Sequence, residues 1–332
     1  MKQAPTIVCL SCLALAASQL VAQQADAPIV RRRETGVMGT DLVIEVEGAD
    51  AGVLDGVIDA AIAELQRVED LMTSWRASPL TELNAAAGKG PHETPRELAA
   101  IVGRAREVSV LTGGAFDCTF ASVGSLWDFK RRPPVVPERA AVLAALANVG
   151  STRITIDPEH DRVTLPAGVQ IGLGGIAKGY GVDRAMAVLR ANGIRRGLVN
   201  AGGDMKVLSP DRPYEVAIKH PRDRDRAIAV VRAANTCVVT SGDYERFFEY
   251  EGKRYHHILD PRTGYPSTGC MSATVTGPSA ELCDALATAC CVLGPTAGLE
   301  LIAKVRRYEA ILVGMDGEVH ASKALRPALC EH

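Results

Sequence analysis

The chain has 332 residues, with 37 Lys+Arg against 39 Asp+Glu and a formal charge of −2. At roughly 150 residues per domain it holds one large domain or two ordinary ones, and 47% hydrophobic with 23% charged residues excludes a disordered composition. The balanced charge argues against a broad nucleic-acid footprint, and 4% aromatic residues leave few rings for stacking on single strands.

After Met1-Lys2-Gln3 the chain is apolar from Ala4 to Ala22 and turns polar at Gln23-Gln24. That pattern predicts a secretory signal over residues 1–22 with a small residue at the cut, against the alternative of a buried N-terminal helix. Cys12 is a candidate for lipid attachment and hence membrane association, although Cys9 stands where such a signal wants a leucine. No later stretch reaches the ~20 apolar residues of a membrane span. The mature chain is therefore expected to be exported, periplasmic and soluble, with a polar lead-in at 23–35 that includes Arg31-Arg32-Arg33 and one domain at 36–325.

Alternation over Asp41–Val46 predicts a strand with one buried face. Val53, Val57, Ala60, Ala61, Leu65, Val68 and Leu71 fall at helical spacing, which predicts a helix from Asp50 to about Leu71. The pattern returns over Pro95–Leu111, with Pro95 suited to the first turn. Pro133-Pro134 break the chain before a third helix, Glu138–Ala147, and short strands follow at Ile154–Ile156 and Arg162–Leu165. Next come a helix at Ile176–Ala191, a strand around Gly197–Val199, and strand-like runs at Glu215–Ile218, Ala227–Val231 and Cys237–Thr240. Helix returns at Ala280–Leu293 and Thr296–Ala303, and the chain closes on a strand at Ala310–Val313. Without a regular βαβ rhythm, this order favours α+β or irregular α/β. No cysteine pair after the leader has Cys-x-x-Cys spacing, so a Zn site is not expected; Cys283, Cys290 and Cys291 read as small core hydrophobes.

Three loops concentrate the chemistry. Gly172–Gly179 lies at a strand-to-helix junction, where backbone N–H groups can hold an anion and Lys178 adds a positive charge; a plain tight turn is the competing reading. Asn200-Ala201-Gly202-Gly203-Asp204 is either a loop that approaches a ligand or a hairpin turn. Thr240–Tyr244 precedes Tyr255-His256-His257-Ile258-Leu259-Asp260-Pro261-Arg262-Thr263-Gly264, which ends in turn chemistry. Strand alternation sends His256 and His257 to opposite faces, so only one of them can face a site, where it is either placed for acid–base work or a structural histidine. Asp284 and Thr288, one turn apart in an apolar helix, are hard oxygen ligands suited to Mg²⁺, or else an N-terminal carboxylate and a back-bonded hydroxyl.

Taken in order, these segments resemble the ApbE family of flavin transferases. The resemblance is carried by Val37–Thr40, Ser74–Leu80 with Leu83-Asn84, Gly114–Asp117 with Thr119, Leu173–Gly179, Val199–Asp204, Thr240–Tyr244, His257–Tyr265 and Asp284–Ala289. It spans about residues 36–315 and implies an α+β fold of that family's own type, with mixed sheets, flanking helices and FAD in a central cleft. By similarity, Met38, Trp75, Ala115, Phe116, Asp117, the position of Gly172, Lys178 and Ile258 are expected at the FAD. Trp75 would stack on a ring and Asp117 would accept from adenine or ribose donors. Mg²⁺ would be held by Asp284, Thr288 and the Gly175 carbonyl, and His257 would be the catalytic base.

The implied activity is Mg²⁺-dependent transfer of FMN from FAD to a Thr or Ser hydroxyl of an acceptor flavoprotein, a subunit or domain of a redox complex, with release of AMP. An FAD pyrophosphatase or a non-catalytic FAD-binding protein are the alternatives. Two positions depart from the family's pattern: Gly172 replaces the usual Asp, which bears on an FAD contact, and Cys118 replaces the usual proline, which is expected to loosen that loop.

Overall fold

A computed structural model describes residues 28–330; the leader, with Cys9 and Cys12, lies outside the described residues. The Arg-rich segment expected as a lead-in is instead strand β1 (Ile29–Val37), paired antiparallel with β2 (Thr40–Gly48) from Ile29↔Gly48 to Val37↔Thr40. Its charge fits an edge strand, which needs protection more than burial. Arg31 and Arg33 lean onto Asp55 and Asp59 of the following helix, with Arg31 Nε 3.6 Å from Asp55 Oδ1.

That helix, α1 (Ala51–Met72), starts where Asp50 accepts from the Val53 amide at 2.9 Å, and it buries Leu54, Val57, Ile58, Ala61, Leu65, Val68 and Met72. Val53, expected on the buried stripe, is 59% exposed because the stripe runs through its neighbour Leu54. A capping box between Ser78 and Thr81 opens α2 (Pro79–Ala85). Strand β3 (His92–Glu93) and helix α3 (Arg96–Leu111) follow, then α4 (Ala121–Gly124) and α5 (Arg139–Leu146). Strands β4 (Thr155–Asp157) and β5 (Arg162–Thr164) join β3 in a small sheet.

Helix α6 (Ala177–Ala191) leads into β6 (Arg196–Ala201) and β7 (Asp204–Leu208). A long hairpin, β8 (Tyr214–His220) with β9 (Asp223–Ala233), precedes β10 (Cys237–Gly242). A short hairpin, β11 (Phe247–Tyr250) with β12 (Lys253–His256), then carries the histidines, and β13 (Cys270–Gly277) returns to the main sheet. Helices α7 (Ala280–Leu293) and α8 (Pro295–Ala303) and strands β14 (Glu309–Gly314) and β15 (Val319–Ala321) complete the order.

The main sheet has eight strands in the order β1-β2-β6-β7-β10-β13-β14-β15, and every ladder in it is antiparallel. Period-two alternation divides its side chains between two cores. Ile44, Val199, Val239, Val275 and Leu312 face the helices, whereas Leu198, Val238, Ile311 and Val313 face the β8–β9 hairpin. Strand β13 has no counterpart among the predicted elements: Ser272, Thr274 and Thr276 break its apolar run, yet all three are buried, and Thr274 Oγ1 lies 2.9 Å from Thr240 Oγ1.

A third core gathers much of the chain's scarce aromatic content. Trp127, Phe129, Phe248, Tyr255 and Tyr265 pack together, with Phe248 and Tyr255 stacked at 5.3 Å between centroids. Trp127 Nε1 donates to the Gly264 carbonyl at 3.0 Å, which ties this cluster to the turn after the histidines.

Candidate active site

One cleft of about 880 Å³ opens between the helical layer, the ends of the main sheet and the β11–β12 hairpin, and every residue singled out above as a site candidate lines it. That volume falls in the range of small-molecule sites, roughly 300–1,000 Å³.

Met38 enters from the β1–β2 turn with φ at 53°, a left-handed conformation uncommon for a residue with a side chain. Its amide donates to Glu69 Oε2 on α1 at 2.8 Å, which holds the turn against the helix. Trp75 stands at the rim, 59% exposed, with its indole open to a ligand. Ile258 and Phe116 supply buried apolar wall.

Asp117 differs from expectation. Its two carboxylate oxygens already accept from Ser109 Oγ, Thr119 N, Thr119 Oγ1 and Ser151 N at 2.5–2.9 Å. A carboxylate has about four lone-pair sites, so this one braces the loop that follows α3 and has none left for adenine or ribose. Cys118 beside it is fully buried, and its carbonyl accepts from the Gly172 amide at 2.8 Å, so the loop is tied to the opposite wall. Burial pushes the Cys118 thiol above its ordinary range. At Gly172, a Cβ would meet Ala121 Cβ at 3.0 Å and Phe120 Cε1 at 3.2 Å. An aromatic ring therefore occupies the space that a carboxylate at 172 would need.

The start of α6 presents Gly174, Gly175, Ala177 and Lys178 to the cleft. Lys178 is not a lone charge: its ammonium donates to Asp204 Oδ2 at 2.8 Å and lies 3.6 Å from Asp284 Oδ1. Burial opposes that charge, but the two carboxylates outweigh it and hold the ammonium above its ordinary pKa. Asp204 was not among the candidate site residues, although its Gly-Gly-Asp setting after a strand was visible. The Asn200–Asp204 segment forms a hairpin turn between β6 and β7; Gly202 lines the cleft, and Asp204 acts on it through Lys178.

Asp284 and Thr288 face the same place from α7. The Gly179 amide donates to Asp284 Oδ2 at 3.2 Å, and Thr288 Oγ1 lies 3.5 Å from Ser241 Oγ. Gly175 packs so closely that a Cβ there would stand 3.1 Å from Thr288 Oγ1. No group of three His, Cys, Asp or Glu side chains with metal-binding proximity occurs among the described residues. Any cation here would rest on one carboxylate, one hydroxyl and a backbone carbonyl, an all-oxygen set suited to Mg²⁺.

The two histidines separate as strand alternation requires. His256 is buried, with Nε2 2.9 Å from the Ser267 carbonyl oxygen, whereas His257 lines the cleft. The His257 amide donates to the Arg246 carbonyl at 3.0 Å, and its Nδ1 is buried without a partner among the described residues. Burial, then the Arg246 charge, lower its pKa to about 4, so the ring is neutral at pH 7 and able to accept a proton. Arg246 and Glu245 also line the cleft and were not singled out from the sequence, where they read as ordinary charged loop residues.

Comparison with known proteins identifies the family. The sequence profile of the ApbE family matches residues 38–312. A curated relative, the FAD:protein FMN transferase of Treponema pallidum strain Nichols, is 32% identical over 295 residues, covering 83% of this chain and 82% of the relative. The crystal structure of the ApbE protein from Thermotoga maritima superposes with a TM-score of 0.83 at 29% identity, over 91% of this chain and 100% of that one. The flavinyl transferase ApbE of Pseudomonas stutzeri gives 0.80 at 29% identity, over 92% and 98%. With its motifs gathered in one cleft and its fold shared along nearly its whole length, the chain belongs to the ApbE family.

Proposed function

We propose that this chain is an FAD:protein FMN transferase. The observation that carries the reading is the convergence, in one cleft, of a neutral histidine, a carboxylate-paired lysine and an oxygen donor set. The activity of the Treponema pallidum relative supports it. Asp284, Thr288 and the Gly175 carbonyl would hold Mg²⁺, which when bound would offset charge on the pyrophosphate.

In the proposed reaction the acceptor's Ser or Thr oxygen bonds to the phosphorus on the FMN side of FAD. The bond from that phosphorus to the bridging oxygen breaks, and AMP leaves with the electron pair. His257 takes the hydroxyl proton, and Lys178 stands by the phosphates as a fixed positive charge. Such transfers depend mainly on positioning and electrostatics, which suits a site whose charged groups are anchored on α6, α7 and a braced hairpin.

Trp75 offers its exposed face for stacking on a ring of the flavin dinucleotide. The leader read at residues 1–22 supports an exported, periplasmic enzyme acting on an exported flavoprotein, with membrane attachment only if Cys12 is lipidated. Among the described residues, no helix is long and apolar enough to cross a membrane.

The test is to incubate purified protein with FAD, Mg²⁺ and a Ser/Thr-bearing acceptor domain, then denature. A flavin-fluorescent acceptor band, with the mass gain of a phosphoester-linked FMN and one AMP released per adduct, is expected. AMP and free FMN formed without acceptor would favour a pyrophosphatase. FAD retained with no AMP formed would favour a binding protein.

A further inference from the structure

Asp204 is absent from the cleft lining, yet it touches the residue that supplies the cleft's lysine charge. It is the first residue of β7 and 1% exposed. The backbone that delivers it is closely fixed: Gly202 and Gly203 are left-handed, with φ of 56° and 92°. The Gly202 amide donates to the Asp41 carbonyl at 2.9 Å and the Gly203 amide to Asn200 Oδ1 at 3.1 Å. A Cβ at 202 would lie 2.1 Å from Thr40 Oγ1, so the turn is held against β2 as well. One Asp204 oxygen accepts from Lys178 at 2.8 Å; the other, Oδ1, is buried without a partner among the described residues.

Lys178 thus stands between two carboxylates, bonded to Asp204 and 3.6 Å from Asp284 Oδ1. Asp204 is the nearer partner, at 2.8 Å against 3.6 Å, so Asp284 is left without a direct hydrogen bond to the ammonium. Burial and the neighbouring Asp284 push the Asp204 carboxyl up, and the Lys178 ammonium opposes that shift.

We infer that Asp204 is a positioning residue that retains the Lys178 ammonium, so that Asp284 keeps a free carboxylate for a divalent cation. The inference rests on the transferase reading of the same cleft. Without the Asp204 charge, a buried ammonium still requires a counter-charge, and Asp284 Oδ1 is the nearest one. Lys178 would then close on Asp284 and neutralise the only carboxylate of the donor set.

The test measures cation binding alone, with Mn²⁺ as probe, by titrating the full chain and following free Mn²⁺ by electron paramagnetic resonance. FAD and acceptor are left out. Asp204→Asn should weaken Mn²⁺ binding about tenfold, and Lys178→Met should strengthen it several-fold. The double variant D204N/K178M should return to within about threefold of wild type, since no ammonium remains to cover Asp284. A merely structural role for Asp204 is not rescued by removing Lys178. Unchanged affinity in D204N, a double variant as weak as D204N, or no Mn²⁺ binding by wild type would overturn the inference. Should D204N lack the native circular dichroism spectrum, K178M carries the test: tighter binding supports the inference, and unchanged or weaker binding overturns it. Flavin transfer assayed separately on wild type can fail while the Mn²⁺ series behaves as expected, which would overturn the transferase reading alone.

Discussion

Gly179→Ala tests how the two halves of the cation site are held together. Gly179 lies in the first turns of α6, against the start of α7, and an added Cβ would stand 2.1 Å from the Ala280 carbonyl oxygen and 2.8 Å from the Glu281 nitrogen. These are backbone atoms, so no rotamer change relieves the contact. Reaching even 3.0 Å, which real Cβ contacts respect, requires the helices to part by about 0.9 Å. The Gly179 amide donates to Asp284 Oδ2 at 3.2 Å, so that shift takes the bond beyond hydrogen-bonding range. Overpacking costs about 1–3 kcal/mol and the lost bond to a carboxylate about 1.5–3 kcal/mol, while alanine's helix propensity returns about 1 kcal/mol. The net expectation is a destabilisation of about 1.5–5 kcal/mol, read by urea unfolding at constant m-value. Transfer activity should fall by more than about tenfold in protein that is still folded, because Lys178 and Asp284 ride on the separated helices. A variant as stable as wild type to within about 0.5 kcal/mol would refute the close-approach reasoning.

Three further outcomes are expected. His257→Ala should lower the single-turnover transfer rate about 10²–10⁴-fold while leaving FAD affinity within a few-fold of wild type, as checked by fluorescence titration; loss of FAD binding instead would make the ring a binding group. Because His257 is lowered to about 4 in the folded chain, it stays neutral at pH 7. Its contribution makes the fold lose stability as pH falls from about 6.5, its unfolded value, toward 4, and H257A should flatten the stability profile in that window. Trp75→Ala should raise the KM for FAD about five- to thirty-fold with kcat little changed, since stacking on an exposed ring contributes about 1–2 kcal/mol of ground-state binding; a kcat effect alone would contradict this. Glu64 on α1 bonds Arg67 one turn on at 2.9 Å and Arg184 of α6 at 2.8 Å, and these bonds, Arg67 first, lower its pKa to about 2. The stability it supplies is present above its unfolded value of about 4.3 and fades as pH drops toward 2. After a discount for the half-exposed arginines, Glu64→Gln should cost about 1–2 kcal/mol at pH 7 and little at pH 2 by thermal unfolding.

Much of the secondary structure was legible because it depends on local periodicity. Helix α1, the two helices after β13, the alternating strand β2 and the strand-like run of β10 emerge within a residue or two of their predicted bounds. Strand β1 was missed because three successive arginines do not look like sheet until the acidic face of α1 is beside them. Strand β13 was missed because its hydroxyl residues interrupt an apolar run, although both of its faces are covered in the fold. Alternation alone places His256 and His257 on opposite sides, and the fold decides that His257 is the one in the cleft.

Spacing and motif order alone therefore marked groups that the fold gathers in one cleft: the helical pair Asp284 and Thr288, the lysine at the start of α6, and a histidine at a strand end. Tertiary structure alone decided how those groups are charged and which of them are free. Asp117 is spent on Ser109, Thr119 and Ser151, Phe120 fills the space beside Gly172, and Lys178 answers to Asp204 across 26 positions of chain. Burial and partner distance set protonation and hydrogen-bonding capacity, and both depend on contacts between segments far apart in sequence.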